Sequence, residues 1–197
     1  MSSLILKTAP TAEPVSVSEA KTQSRIDIST DDTYIGTLIT AAREAAENYT
    51  NRAFISQTWE YYLTTFANSG REFDEIILPK APLQSVTSVI YTDTDGVSQT
   101  LSSSLYTVDA KGEEGRIVPA YGQAWPSTRW VPNAVKVTFI AGYGDAGTAV
   151  PAAIKHAILL MVGQYYEQRE DLIVGTIQTK MSNGATALLD HHIVRRI

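Results

Sequence analysis

Apolar residues recur at helical spacing near both ends of this chain and at strand spacing through its middle. The first helical signal opens at Ser16, where Ser16-x-x-Glu19 has the spacing of a capping box, and it ends near Arg25. A second begins at Ser29-Thr30-Asp31-Asp32, whose carboxylates suit the positive end of a helix dipole. There Ile35, Leu38, Ile39, Ala42, Ala45, Ala46 and Tyr49 form one stripe, while Arg43, Glu44 and Glu47 fall off it.

From Gln57 the pattern changes to short runs of β-branched and aromatic residues. Strands are expected over Thr58–Phe66, Glu75–Leu78, Val86–Thr92, Val97–Leu101, Tyr106–Asp109, Arg116–Val118 and Ala134–Ala141. Asp95-Gly96 marks a hairpin turn between two of them. Residues 119–132, with Trp125 and Trp130, read as a long loop. Gly142, Gly144 and Gly147 then loosen the chain ahead of Pro151, a good first helical residue, and a helix is expected to about Asp171. Its centre, AILLMVGQYY, is apolar on all sides, so it needs contacts all round, from a deep core or from a neighbouring subunit. A last helix is expected over Ala185–Arg195, and the proline-punctuated residues 1–15 read as an extended arm. The elements together define an α+β chain.

Composition narrows the chemistry. With 197 residues, 44% hydrophobic and 19% charged, the chain is sized for one domain, or a domain with an insertion. It has no cysteine, which removes disulfides, thiolate metal sites and a cysteine nucleophile. The apolar run at Leu4–Leu6 is too short for a signal peptide and no segment approaches the length of a membrane span, so synthesis in the cytosol and no membrane partner are expected. Net charge is −5, and apart from Arg195-Arg196 the basic residues are scattered singly, which disfavours tight nucleic-acid binding.

Each candidate constellation has a structural reading beside its chemical one. Gly142-Tyr143-Gly144-Asp145-Ala146-Gly147 is a literal GxGxxG between a strand and a helix. Asp145 would oppose a pyrophosphate, the helix waits until Pro151, and the strands come as hairpins, so a strand-to-helix joint is preferred. Asp93-Thr94-Asp95-Gly96 opens like a calcium loop, but its glycine comes too early and Ser104 stands where a bidentate Glu belongs. Adjacent His191 and His192 diverge on a helix, which suits a surface pair better than a metal site. His156 has no serine in a nucleophile-elbow context, and Glu113-Glu114 suits a solvated loop tip better than a glycosidase pair. Tyr121, Trp125 and Trp130 could form a platform for a sugar or base, but without a basic cluster they read as loop residues that cover the sheet or meet a partner. No catalytic, cofactor or metal residue is assigned.

In order and spacing, PVSVSEAKTQSRID, DDTYIGTLITAAREAAENYTNRAFISQTWE, LPKAPLQSVTSVIYTDTDG, GRIVPAYGQAWP, FIAGYG and VPAAIKHAILLMVGQYYEQRE resemble the head-tail connector (adaptor) proteins of tailed bacteriophages and phage-derived particles. The resemblance implies a small helical bundle from both chain ends with a β-rich antiparallel insertion, here divided as 1–56, 57–148 and 149–197. It implies a non-enzymatic subunit of a homo-oligomeric ring, usually a dodecamer, below the portal protein and above tail-side neck or tail proteins. Host cytoplasm during assembly and the particle neck afterwards are the implied locations, and DNA passes without being held. The all-round apolar helix supplies the expected subunit interface at Ile158, Leu159, Met161, Val162 and Tyr165. Leu188, Leu189, Ile193, Arg195 and Arg196 are the expected portal contacts. Another neck or tail-tube component, and a carbohydrate- or ligand-binding module, remain the alternatives.

Overall fold

The computed structural model describes residues 2–66, 74–168 and 183–195. The chain divides into a strand unit, residues 1–10 with 56–143, and a helical unit, residues 11–55 with 144–197. The elements in order are β1 (Ser2–Thr8), α1 (Val17–Ser24), α2 (Asp32–Thr50), β2 (Gln57–Leu63), β3 (Ile76–Ile77), β4 (Leu83–Thr92), β5 (Ser98–Thr100), β6 (Tyr106–Asp109), β7 (Arg116–Pro119), β8 (Val135–Ala141), α3 (Ala152–Glu167) and α4 (Asn183–Leu189). All seven expected strands form. The expected arm differs: residues 2–8 are a strand whose Leu4-Ile5-Leu6 run pairs antiparallel with β2, so the first ten residues belong with the strand unit.

The strand unit holds an antiparallel sheet in the order β1-β2-β8-β4-β5 and a smaller one in the order β3-β7-β6. Strand β8 lies between β2 and β4, and its alternation shows why it is central. Val135, Val137, Phe139 and Ala141 share one buried face, level with Leu63, Tyr61, Trp59 and Gln57 of β2. The opposite face carries a polar cluster. Glu60 accepts from Tyr62 Oη at 2.7 Å and lies 3.1 Å from Lys7 Nζ and 3.6 Å from Lys136 Nζ; the Tyr62 bond, then Lys7, lower its pKa despite desolvation.

In the helical unit α2 and α3 pack together, with α1 and α4 against them. The core contains Ile35, Ile39, Ala42 and Ala46 of α2, Ile154, Ala157, Ile158, Met161 and Val162 of α3, and Ala53-Phe54-Ile55 from the turn after α2. Helix α1 begins as its sequence requires. Ser16 Oγ accepts from the Glu19 N–H, and the Glu19 carboxylate accepts from the Ser16 N–H at 2.7 Å. Lys155 Nζ of α3 reaches the same carboxylate at 2.9 Å.

These contacts, led by the Ser16 backbone bond and then Lys155, lower the Glu19 pKa to about 2. Because the folded pKa lies below the usual value of 4.5, this contribution is present above pH 4.5 and fades as pH falls toward about 2. Ser16→Ala is expected to cost about 1 kcal/mol at neutral pH, the usual worth of an N-cap. Glu19→Gln should flatten the acid limb of a stability-versus-pH curve; an unchanged limb in urea titrations would contradict the assignment.

Candidate functional site

The sequence places a docking tail at the C-terminal end, where the structure describes residues 183–195 as a segment packed on the helical unit. From Asn183, where the described residues resume, helix α4 runs to Leu189, short of the expected Arg195, and passes into a 3-10 turn over Asp190–His192. Three groups at the end of α2 then hold the chain. Arg52 Nε donates to the His192 carbonyl at 2.6 Å, the Val194 N–H donates to the Thr50 carbonyl at 2.9 Å, and Tyr49 Oη donates to Asp190. Leu189 and Val194 are buried by this packing.

Of the expected portal contacts, Leu189 is therefore corrected to a core residue: fully buried, it has no surface to offer a partner. Leu188 and Ile193 are half-buried, Arg195 is exposed, and Arg196 lies outside the described residues. Three of the expected subunit contacts on α3 are corrected for the same reason. Ile158, Met161 and Val162 are buried within the helical unit itself. The all-round apolar character of α3 is satisfied on one side by α2 and on others by α1 and α4. Leu159 and Tyr165 stay half-buried, with burial raising the Tyr165 pKa.

A buried charged cluster sits where the helical stripe pointed outward. Arg43 is 5% exposed and Glu47 6%. The Arg43 guanidinium lies 2.9 Å from Glu47 Oε2 and 2.8 Å from Glu13 Oε2, and Glu47 Oε1 accepts the Phe54 N–H at 2.7 Å. Desolvation opposes the Arg43 charge, but Glu47 and Glu13 outweigh it and the guanidinium pKa is raised. Thr40 Oγ1 donates to the other oxygen of Glu13. The cluster thus joins the segment before α1, the middle of α2 and the turn after α2, which is a structural task.

The remaining constellations are occupied by structure. Asp93 Oδ1 accepts the N–H groups of Asp95 and Val97 and Oδ2 accepts from Gln99, so it closes the hairpin turn, in which Gly96 takes a φ of 88°. At Gly147 a Cβ would lie 2.5 Å from the Pro14 carbonyl oxygen, so this glycine serves close chain packing. The helix after it begins only at Ala152, away from the glycine run. Desolvation first, then Arg52 and His191, lowers the pKa of His192. Among the described residues no cluster of three or more His, Asp or Glu is placed to hold a metal, and no helix is long and apolar enough to cross a membrane.

The aromatic loop divides its duties. Trp125 stacks on Phe66 at 4.8 Å, and its Nε1 donates to the Asp74 carbonyl. Tyr121 and Trp130 stand exposed.

A helical unit built from residues 11–55 and 144–197, a strand unit built from residues 1–10 and 56–143, and polar groups engaged in holding chain segments define a structural α+β protein. The chain belongs to the head completion protein family, whose model it matches over residues 13–195. It is similar to a chain in the neck of an empty gene transfer agent particle computed with C6 symmetry, with 26% identity, a TM-score of 0.80, and coverage of 99% of this chain and 97% of that one. A chain in the virion of a native gene transfer agent particle is similar at 27% identity and TM-score 0.80, covering 98% and 96%. A third, in the neck of a native particle computed with C12 symmetry, shares the fold at 24% identity and TM-score 0.68, covering 98% and 97%. No curated protein matches the chain. The family and these neighbours are structural virion proteins and not enzymes, and the role of this chain is a structural one at the junction of head and neck.

Proposed function

We propose that the chain is a head-tail connector: copies form a ring that binds the portal protein, receives the tail-side neck or tail proteins and keeps the DNA channel continuous. The observation that carries this is the family match over residues 13–195, joined by the likeness along nearly the whole chain to a neck protein solved with C6 symmetry. The subunit number is a multiple of six, and the dodecamer expected from the resemblance satisfies it. Assembly takes place in the host cytoplasm and the product resides in the particle neck. A net charge of −5 without a basic cluster supports passage of DNA without retention, since gripping phosphates takes grouped Lys and Arg.

Leu188, Ile193 and Arg195 remain the proposed portal contacts, with Leu159 and Tyr165 at the subunit boundary. Particles made without the chain are expected to show filled heads lacking tails by electron microscopy. Normal tailed particles would remove the proposal. In particles carrying Leu188→Asp with Arg195→Glu, attachment to the portal should fall at least tenfold with little change in thermal unfolding. Unchanged attachment would relocate the portal surface.

A further inference from the structure

The two edges of the five-stranded sheet are unlike. Strand β1 is an edge of seven residues, and among the described residues no strand pairs with its outer side. Ile5 is 51% exposed and Leu6 42%, on opposite faces of the strand. A long apolar edge is normally guarded by charge because its free N–H and C=O groups accept another strand. Lys7, the cation on this one, is turned back onto Glu60 at 3.1 Å. At the other edge β5 covers β4 only over Ile90–Thr92, and the Leu101 N–H takes the Val89 carbonyl. Among the described residues Ser85–Ser88 have no strand on their outer side, and Ser85 and Thr87 are exposed.

Strand direction makes these edges complementary. From β1 through β2 and β8 to β4 each neighbour is antiparallel, so β1 and β4 run in opposite directions. All subunits of a ring share one orientation about its axis. A neighbouring copy therefore presents its β1 antiparallel to β4, the sense a continuous antiparallel sheet requires.

The heights match as well. Leu6 is level with Trp59, Phe139 and Val86, Ile5 with Glu60, Thr138 and Ser88, and Thr8 with Thr58, Ile140 and Ser85. Addition without a vertical shift sets Leu6 beside Val86 on one face and Ile5 beside Ser88 on the other, while Ser2 and Ser3, level with Tyr91 and Ile90, must turn off the sheet where β5 already holds that edge.

We propose that β1 docks on the Ser85–Ser88 stretch of β4 in the next copy, making a head-to-tail contact between ring subunits. This deepens the connector reading and rests on its ring. A ring needs two different surfaces on each subunit, and these edges are such a pair. The ladder spans about 13 Å at strand rise, smaller than a stable interface by itself, so ring closure and the remaining subunit contacts act with it.

The chain has no cysteine, so every thiol it carries in the test is an introduced one. The full-length Leu6→Cys, Val86→Cys double variant is assembled into particles and oxidised by copper(II)-phenanthroline in air. Within one chain the two positions are three strands, or about 14 Å, apart, too far for a disulfide, so a bond between the two introduced thiols joins two copies, and bands that contain only this chain report it. The expected result is a ladder of covalent oligomers on a non-reducing gel, with neither single variant cross-linking. Rings visible by electron microscopy without a ladder would overturn this contact and leave the ring intact. Dimers from Leu6→Cys alone would mean that β1 meets β1, which also overturns it. Absence of rings in the unsubstituted protein would overturn the connector reading together with this contact.

Discussion

Alanine at Arg43 is expected to lower the stability of the helical unit by about 3 to 5 kcal/mol, because removing the guanidinium leaves the buried Glu47 carboxylate charged and dry. Glu47 is 6% exposed and would keep its charge without the guanidinium 2.9 Å away, and Glu13 would lose the contact that holds the segment before α1. Glu47→Gln should cost less, because an amide oxygen can still accept the Phe54 N–H. Replacing Arg43 and Glu47 together by methionine removes the charge imbalance but leaves that N–H without its acceptor, at about 1 to 3 kcal/mol. The double variant should therefore be less damaged than the sum of the singles. Urea unfolding followed at 222 nm measures the effect, since α1 to α4 all lie in the helical unit. Trp59, Trp125 and Trp130 all lie in the strand unit, so their fluorescence gives a separate reading of that unit. A loss under 1 kcal/mol for Arg43→Ala would mean that water reaches the cluster.

Leu189→Ala is the second large effect, expected at about 2 to 5 kcal/mol for a fully buried leucine. Among the described residues α4 packs against α3 and α2, and short helices owe their stability to such packing. Arg195→Ala, on an exposed side chain of the same segment, should stay within about 0.5 kcal/mol. Equal effects at the two positions, in the same urea experiment, would contradict the packing described for this segment. Truncation before residue 184 removes Ala185, Leu189 and Val194 from the core together, so it weakens the helical unit as well as any docking. Surface substitutions at Leu188 and Arg195 separate those two consequences.

Much of the fold was legible because its signals are local. A capping box, a hairpin turn and alternating β-branched runs place α1, the turn at Asp95-Gly96 and seven strands from residues close in sequence. Strand β1 carries a weaker signal, Leu4-Ile5-Leu6 between Ser3 and Lys7, and the prolines at 10 and 14 suit an extended arm equally well. Its partner β2 begins about fifty residues later, and no local rule supplies that pairing. The burial of Leu189, Ile158, Met161 and Val162 is non-local in the same way. The apolar pattern of α3 is equally satisfied by α2 and α4 of its own chain or by another subunit, and the choice depends on where α4 packs.

Sequence by itself determined the element types, the lack of cysteine chemistry, the acidic charge without a basic cluster and, through ordered family resemblance, the connector class. Tertiary structure decided what those elements do with their surfaces. It placed Arg43 and Glu47 inside because Glu13 and the Phe54 N–H come to them from other parts of the chain. It placed Leu189 inside because the end of α2 captures the segment that follows it, and it left β1 as a sheet edge with Ile5 and Leu6 toward solvent. The division has one physical cause. Backbone conformation responds to neighbouring residues, whereas burial and pairing are set by contacts between residues far apart in the chain, which the pattern of any one segment leaves open.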